Sequence, residues 1–215
     1  MTDDFIIDIW SDVVCPFCYL GTRQLAVALD LFEHRERVTL RHRAFELDPH
    51  AKLAYDRPLE ELVAAKYAAP VSSIRVMHQR LENEARELAM TWSLETAQPT
   101  NTFDAHRVIA LASTQDLGHE ASERLFRAYF CEGQLVSDHR RLNELAEEIG
   151  VRGVDALWES DAFTDAVRAD EAQAQELGIT GVPSLLLDSK FMVVGAQGSE
   201  QILNALQRAW ARRAA

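Results

Sequence analysis

Cysteine is scarce in this sequence, and basic residues are outnumbered. The 215 residues contain three cysteines, and 22 lysines and arginines stand against 34 acidic residues, which gives a formal net charge of −12. The mean electrostatic field of so acidic a chain repels phosphate backbones and anionic lipids. We therefore expect neither nucleic acid nor a membrane as a partner.

Long apolar segments and a basic leader are also missing. No uncharged apolar stretch is long enough to span a bilayer, and the first five residues carry two aspartates and no lysine or arginine. We expect a cytoplasmic protein, in which an odd number of cysteines does not predict structural disulfides. With 47% hydrophobic and 26% charged residues, the composition is that of a globular chain and excludes a disordered one.

The two ends of the chain predict strands. A nearly continuous apolar run at residues 5–10 predicts a buried strand, and residues 38–45 predict a second strand nearer a sheet edge. Two short apolar runs, 184–187 and 191–194, predict a hairpin, and a final helix is expected from Ser199. These patterns indicate a small α/β fold.

The middle of the chain predicts only helices. Prolines, glycines and capping residues place their ends, and the predicted helices cover about 58–69, 72–90, 102–115, 120–131, 138–149, 154–159 and 161–177. A helical block therefore interrupts the α/β fold. Residues 1–57 and 162–215 are predicted to form the α/β domain, and 58–161 the inserted all-helical domain.

The segment Cys15-Pro16-Phe17-Cys18 lies where the first predicted strand gives way to a helix. Free backbone N–H groups and the helix dipole at that position favour a thiolate on Cys15. Cys15 would attack a disulfide, and Cys18, deeper along the helix, would resolve the mixed disulfide. Pro16 suits the first helical turn, because its missing N–H costs no hydrogen bond there.

Two other interpretations of the cysteine pair are open. The cysteines could be two buried small residues, or half of a structural zinc site. Zinc takes four ligands, whereas only Cys131 remains and the seven histidines are scattered, so no metal is predicted. Cys131 is expected to be a buried small residue.

A second motif precedes the predicted hairpin. Pro183 stands at the start of a strand, which indicates a special turn. A cis Val182–Pro183 bond would leave the backbone of Val182 free to pair with an extended substrate segment, although a trans bond is statistically favoured. Asp12, three residues before Cys15, is expected to cap the first helix rather than to tune a thiol.

Four segments carry a resemblance to a known family: SDVVCPFCYLG at 11–21, NTFDAHR at 101–107, GITGVPS at 178–184 and GAQ at 195–197. Together they resemble the DsbA-like thiol–disulfide oxidoreductases of the FrnE type, within the thioredoxin superfamily. The resemblance implies a thioredoxin fold with an inserted helical domain, Cys15 attacking, Cys18 resolving and Pro183 as the cis-proline facing them. It also places His106 near the active site, where it joins Val182, Pro16 and Phe17 as a candidate substrate-binding residue.

A related group, the hydroxychromene-carboxylate isomerases, has the same helical insert and uses glutathione. Its members resemble this chain but carry serine at the position of Cys15 and lack the second cysteine. A glutathione-dependent isomerase or transferase acting on a small aromatic or polyketide-like substrate is therefore the alternative function. A non-catalytic peptide-binding module is a third hypothesis.

The two cysteines favour dithiol chemistry on a disulfide-containing protein or a small thiol. Phe17 stands where the periplasmic DsbA-like enzymes carry a histidine between the two cysteines. Because Phe17 supplies no cation to stabilise a thiolate, the comparison implies that the Cys15 thiol is less acidic than theirs. No bound cofactor is expected, and glutathione or a cellular dithiol is the candidate electron partner. The sequence leaves open whether the protein is a monomer or a homodimer.

Overall fold

A computed structural model describes residues 4–213 of the chain. The first three and the last two residues lie outside this range. These five residues include the start of the N-terminal segment and the two outermost ends of the predicted α/β domain, and the predictions for them lie outside the described residues. None of the helices between residues 4 and 213 is both long and apolar enough to cross a membrane.

Four strands form a single mixed sheet in the order β2-β1-β3-β4. Strand β1 pairs in parallel with β2 and antiparallel with β3, and β3 pairs antiparallel with β4. The predicted hairpin is confirmed, and its connection has the three residues 188–190. Asp188 and Ser189 have positive φ, and the N–H of Lys190 donates to the Leu187 carbonyl oxygen at 3.0 Å, as in a type I′ turn. The strands are β1 (Phe5–Ser11), β2 (Val38–Ala44), β3 (Ser184–Leu187) and β4 (Phe191–Val194).

Helices cover both faces of this sheet. On one face, α1 (Pro16–Asp30) and α9 (Ser199–Ala211) enclose an apolar core with the side chains of Phe5, Ile7 and Ile9. On the other face, α8 (Thr164–Glu176) lies against β2, and Trp10 donates a hydrogen bond to the carbonyl oxygen of Asp170. The strand β1 is buried on both sides, which explains its nearly continuous apolar sequence.

The chain between β2 and α8 contains only helices. These are α2 (Leu59–Lys66), α3 (Val71–Glu87), α4 (Phe103–Ser113), α5 (Gly118–Phe130), α6 (His139–Glu148) and α7 (Asp155–Trp158). The architecture is thus the predicted α/β fold with an all-helical insertion; the exact boundaries at 57/58 and 161/162 stay a prediction.

Two helix boundaries differ from the predictions for a backbone reason. Phe163 adopts a left-handed conformation with φ 63°, so α8 begins only at Thr164 and not at residue 161. Ala68 has φ 49°, so α2 ends at Lys66 and not at residue 69. A side chain rarely tolerates positive φ inside a right-handed helix.

Helix α1 belongs to two cores at once. Leu25, Ala28 and Leu29 face the sheet, whereas Cys18, Tyr19 and Leu20 pack into the core of the inserted helices. The ring of Tyr19 stacks on those of Phe126 and Phe130 at centroid distances of 5.1 and 5.8 Å. The first turn of α1 is therefore held between the sheet and the insertion.

Candidate active site

The two cysteines of the first motif lie at the N-terminus of α1. Cys15 is the N-cap residue with extended backbone angles (φ −90°, ψ 112°), and Pro16 occupies the first turn. The backbone N–H of Cys18 donates to the Cys15 carbonyl oxygen at 3.0 Å. Both thiols are free, and their residues are 3% and 0% exposed. Cys15 therefore lies at the positive end of the helix, and Cys18 lies inside it.

The turn before β3 lies opposite Cys15. The Val182–Pro183 peptide bond is cis, and the thiol of Cys15 contacts the carbonyl oxygen of Val182 at 3.7 Å. A Cβ atom added to Gly21 would lie 2.9 Å from Cγ of Pro183. Only glycine at this position of α1 lets the proline ring approach so closely.

The surface beside the dithiol is apolar. Phe17 is 42% exposed, and Pro16, Val14 and Val182 are half-buried. Pro16 and Phe17 follow Cys15 directly in the chain, and the carbonyl oxygen of Val182 contacts its thiol. A contact of these three residues with substrate stays a prediction.

The two thiols differ in their electrostatic surroundings. Burial raises the pKa of Cys18 well above its ordinary value, and the hydrogen bond and charge of Cys15 raise it further. A backbone hydrogen bond from Asp12 lowers this pKa, whereas the Asp12 carboxylate raises it. Cys18 therefore keeps its proton in the reduced protein and has to lose it before it acts as a nucleophile.

Asp12 does not cap α1, and that prediction is wrong. The side chain of the N-cap residue, Cys15, accepts no capping hydrogen bond from the first turn of α1, and the Asp12 carboxylate is buried below the dithiol loop. Its Oδ2 accepts a hydrogen bond from the backbone N–H of Leu47 at 2.7 Å. The carboxylate thus ties this loop to the segment that follows β2, a tertiary contact that local sequence does not encode.

His106 lies on the inner side of the same loop. It belongs to α4, is buried, and its Nε2 is 3.5 Å from Oδ1 of Asp12. The next residue, Arg107, is also buried and donates to backbone carbonyl oxygens of Leu157, Ser160 and Ala162. The structure places His106 beside Asp12, three residues before Cys15, and its role in binding substrate stays a prediction.

Two buried side chains near this loop were not predicted from the sequence. Burial and the charge of Asp12 raise the pKa of Tyr129, on α5, so its hydroxyl lies close to that carboxylate. Glu46 follows β2, and its pKa is raised by burial and lowered by Arg168. Nothing in the sequence distinguishes Tyr129 from other apolar positions of α5, whereas a carboxylate just after a parallel strand is a signal that could have indicated Glu46.

Cys131 corrects another prediction, because it is exposed and not buried. It is the C-cap residue of α5, where the chain turns toward Gly133, and its thiol contacts Tyr19. Among residues 4–213, no group of three or more histidine, cysteine, aspartate and glutamate side chains is arranged to hold a metal ion.

A dithiol at the start of the first helix, facing a proline at the start of an antiparallel hairpin strand, defines a thioredoxin-like protein. The model of the DSBA-like thioredoxin domain matches residues 6–207, and the chain belongs to this family. It is also similar to a probable DsbA oxidoreductase from Streptomyces coelicolor. The two are 34% identical, the match covers 96% of this chain and 90% of that one, and the TM-score is 0.91.

Two more distant structures share the fold. A 2-hydroxychromene-2-carboxylate isomerase is 17% identical with a TM-score of 0.71, over 97% of this chain and 98% of that one. The cytosolic disulfide reductase DsbM from Pseudomonas aeruginosa is 15% identical with a TM-score of 0.66, over 96% and 98% of the two chains. The predicted membership in a DsbA-like family is confirmed, and the narrower FrnE type stays a prediction.

Proposed function

We propose that this protein is a thiol–disulfide oxidoreductase in which Cys15 attacks and Cys18 resolves. The family supports an enzyme of redox or isomerase chemistry. The observation that carries the choice is the position of the Cys15 sulfur, at the N-terminus of α1 and beside the Val182 carbonyl oxygen. A thiolate there is stabilised by the helix, and an extended client chain could pair with the Val182 backbone within reach of it.

The reaction takes place in two exchanges. The Cys15 thiolate attacks one sulfur of the client disulfide, forms a mixed disulfide and releases the other client sulfur as a thiolate, which takes up a proton. Cys18 then loses its proton and attacks Cys15, and the second client thiol leaves. The client disulfide is thereby reduced, and the enzyme dithiol becomes a disulfide.

The sequence leaves open whether the dithiol reduces, forms or isomerises disulfides, and we propose the reductive direction, which a cytoplasmic location would favour because thiols are kept reduced there. Restoring the dithiol takes two electrons from a thiol, and glutathione or a cellular dithiol is the proposed donor. A structure of DsbM with GSH supports glutathione as the donor to examine first. The substrate in this direction is a disulfide-containing protein or the disulfide of a small thiol, and no bound cofactor is required.

Insulin reduction, with glutathione or dithiothreitol as the donor, tests the proposal. Cys15→Ser should abolish turnover, whereas Cys18→Ser should accumulate a mixed disulfide that mass spectrometry detects. Cys131→Ser is the matched control, because this exposed cysteine lies outside the dithiol, and it should keep full activity. Unchanged turnover in Cys15→Ser would overturn the proposal.

The same variants separate the two alternatives. Full glutathione-dependent conversion of a small substrate by Cys18→Ala would favour an isomerase or transferase, which needs no second thiol. Peptide binding that is equal in the parent and in a variant lacking both cysteines, with no turnover in either, would favour a binding module.

A further inference from the structure

The strand β4 is an edge of the sheet, and its outer side is open. It pairs with β3 on one side, and no strand within residues 4–213 pairs with the other. Its residues, FMVV, include neither a charged side chain nor a proline, which are the residues that commonly protect a sheet edge. The opposite edge, β2, carries two arginines and a histidine and is contacted by α4, α5 and α8. The edge formed by β4 is therefore the one to which another chain can add.

The hydrogen bonds of the hairpin show which backbone groups of β4 point outward. The N–H of Gly195 donates to the Pro183 carbonyl oxygen at 2.7 Å, and bonded and non-bonded residue pairs alternate along an antiparallel ladder. Val194 and Met192 therefore direct their N–H and carbonyl groups away from β3. The Val194 carbonyl oxygen accepts a hydrogen bond from the exposed side chain of Gln197 at 2.6 Å, which agrees with this outward direction.

The pairing of β3 with β1 gives the same alternation. The N–H of Asp188 donates to the Ile6 carbonyl oxygen at 2.8 Å, so two residues earlier the backbone groups of Leu186 bond to β1 and not to β4. Leu186 lies opposite Met192. Met192 therefore has no ladder partner on β3, and it presents both a donor and an acceptor at the open edge.

The side chains of β4 lie on two different faces. Phe191 and Val193 pack against the core that α9 covers, so Met192 and Val194 point to the opposite face, where they are 37% and 54% exposed. A strand added beside β4 places alternate side chains on these same two faces. One set meets exposed apolar side chains, and the other set meets α9.

The face that α9 covers has a basic groove at this edge. The groove lies between β4 and α9, has a volume of about 480 Å³, and is lined by Arg208 and Arg212 but by no acidic residue of the described chain. The guanidinium carbon of Arg212 lies 5.3 Å from the ring centre of Phe191, at the start of β4. Arg213 pairs with Asp188, whereas within residues 4–213 neither arginine of the groove has a carboxylate partner. On a chain of net charge −12, this groove is a local site for anionic side chains.

We propose that the open edge of β4 binds an extended acidic segment of a partner protein, which adds to the sheet as a fifth strand. The backbone of the segment pairs with the outward groups of Met192 and Val194. Its acidic side chains lie on the α9 face against Arg208 and Arg212, and its apolar side chains lie on the other face. The segment therefore alternates acidic and apolar residues. This inference goes beyond the proposed function and does not depend on the dithiol.

A second copy of this chain fits the same edge less well. Two copies joined through β4 across a two-fold axis present the same surface to each other. The arginines of each groove would then meet a surface that supplies arginines and not carboxylates. The charge of the groove thus favours a different protein as the partner.

Fluorescence anisotropy with labelled peptides tests the charge preference. The probe is fluorescein-labelled Glu-Val-Glu-Val-Glu-Val-Glu, and the comparison peptide has lysine in place of each glutamate. The parent protein should bind the acidic peptide about tenfold more tightly or better, and added salt should weaken this binding. The mean field of the acidic chain favours the lysine peptide, so the opposite preference reports a local site.

Reversal of the groove charge provides the first variant. Arg208→Glu combined with Arg212→Glu should reverse the preference, so that the lysine peptide binds more tightly. Arg80→Glu combined with Arg86→Glu is the matched control, because these exposed arginines of α3 lie outside the groove and their replacement changes the net charge equally. The control should keep the affinity for the acidic peptide within about twofold.

Two further measurements test the backbone pairing. Met192→Pro removes the outward N–H but no ladder bond to β3, and proline is tolerated at such edge positions. The variant should unfold in urea like the parent and bind the acidic peptide about tenfold more weakly. Acidic peptides that are N-methylated either on every glutamate or on every valine supply the second measurement. Because only alternate N–H groups of a strand face its neighbour, one of the two peptides should lose binding and the other should keep it.

Three results would overturn the inference. These are an acidic peptide that binds no better than the lysine peptide, equal binding of the two N-methylated peptides, and full binding by a folded Met192→Pro variant. If Met192→Pro does not fold, the N-methylated peptides decide. A parent protein that sediments as a dimer and becomes monomeric in Met192→Pro would assign the edge to a second copy and so overturn the inference as well.

Discussion

The Sγ atom of Cys15 lies 3.7 Å from the carbonyl oxygen of Val182, although 167 residues separate the two positions. The sheet brings them together, because β1 and β3 pair antiparallel with Trp10 opposite Ser184. The C-terminal end of β1 and the N-terminal end of β3 therefore lie side by side at the same end of the sheet. A client peptide that pairs with the Val182 backbone is placed beside the sulfur that would attack it.

The contact between Gly21 and Pro183 gives the first prediction. Gly21→Ala places a Cβ atom 2.9 Å from Cγ of Pro183, which is too close for two carbon atoms. The ring has to move, so insulin reduction should fall about tenfold, and overpacking should lower the free energy of unfolding by about 1–2 kcal/mol. Steady-state turnover and urea unfolding measure the two effects.

The matched control for that substitution lies on the other side of the proline. Gly181 has no atom within 4 Å of an added Cβ and no positive φ, so Gly181→Ala should retain both activity and stability. Equal activity in Gly21→Ala and Gly181→Ala would show that the fit of Pro183 against α1 does not matter for catalysis.

The difference between the two thiols of the dithiol gives the second prediction. Thiolates react with iodoacetamide and thiols do not, and burial raises the pKa of Cys18 well above its ordinary value. In the reduced native protein Cys18 should therefore stay unmodified while Cys15 is alkylated, and denaturant should make Cys18 reactive. Peptide mass spectrometry identifies the labelled positions.

Cys15→Ser is the informative variant for this second prediction. It replaces the thiol of Cys15 by a hydroxyl that carries no charge, but it leaves the burial, which is the largest cause of the raised pKa of Cys18. Cys18 should stay unreactive in it. Alkylation of Cys18 at the rate seen for Cys15 in the parent would contradict the assignment of Cys18 as the protonated, resolving thiol.

Arg107 gives a prediction about stability. Its guanidinium is buried and donates to three backbone carbonyl oxygens, from the end of α7 and the chain that leads to α8, and to Asp104. Arg107→Met removes these donors and should lower the free energy of unfolding by about 3 kcal/mol in urea titrations. Arg127→Met is the comparison, because Arg127 pairs with Glu132 at the surface, and its loss should cost at most about 1 kcal/mol. Similar losses in the two variants would contradict a clamp at Arg107.

The sequence predicts the parts of this fold that local patterns determine. The apolar runs at residues 5–10 and 184–187 predict strands because buried strands need such runs, and the run at 191–194 predicts the half-exposed strand that pairs with the second of them. The Cys15–Cys18 spacing and Pro16 place the dithiol in the first turn of α1. The predicted start of α8, at residue 161, is wrong because Phe163 adopts a left-handed conformation, which a phenylalanine in the sequence does not indicate.

The interior of the candidate site depends on tertiary contacts and could not be predicted in the same way. Asp12 has the residue type and the position of a helix cap, yet its shortest hydrogen bond, at 2.7 Å, comes from the N–H of Leu47, on a segment that only the completed sheet brings near. Tyr129 shares the apolar pattern of α5, so its position beside Asp12 is visible only when the helices are packed. The residue type of Cys131 predicts a buried side chain, but the residue lies at the C-terminal end of α5, where it is exposed.

The pair formed by His42 and His119 makes stability depend on pH in a defined direction. Nε2 of His42, on β2, lies 3.2 Å from Nδ1 of His119, on α5. Burial and the neighbouring histidine lower the pKa of His42 from 6.5 to about 3 in the folded protein. As pH falls below 6.5, the unfolded chain binds a proton at His42 that the folded protein does not bind, so stability is lost between these two values, by at most about 1.4 kcal/mol per pH unit.

His42→Gln removes this contribution. The stability advantage of the parent over His42→Gln, from urea titrations, should therefore be constant above pH 6.5 and shrink steadily below it, and an advantage that stays constant down to pH 3 would contradict a neutral, buried His42.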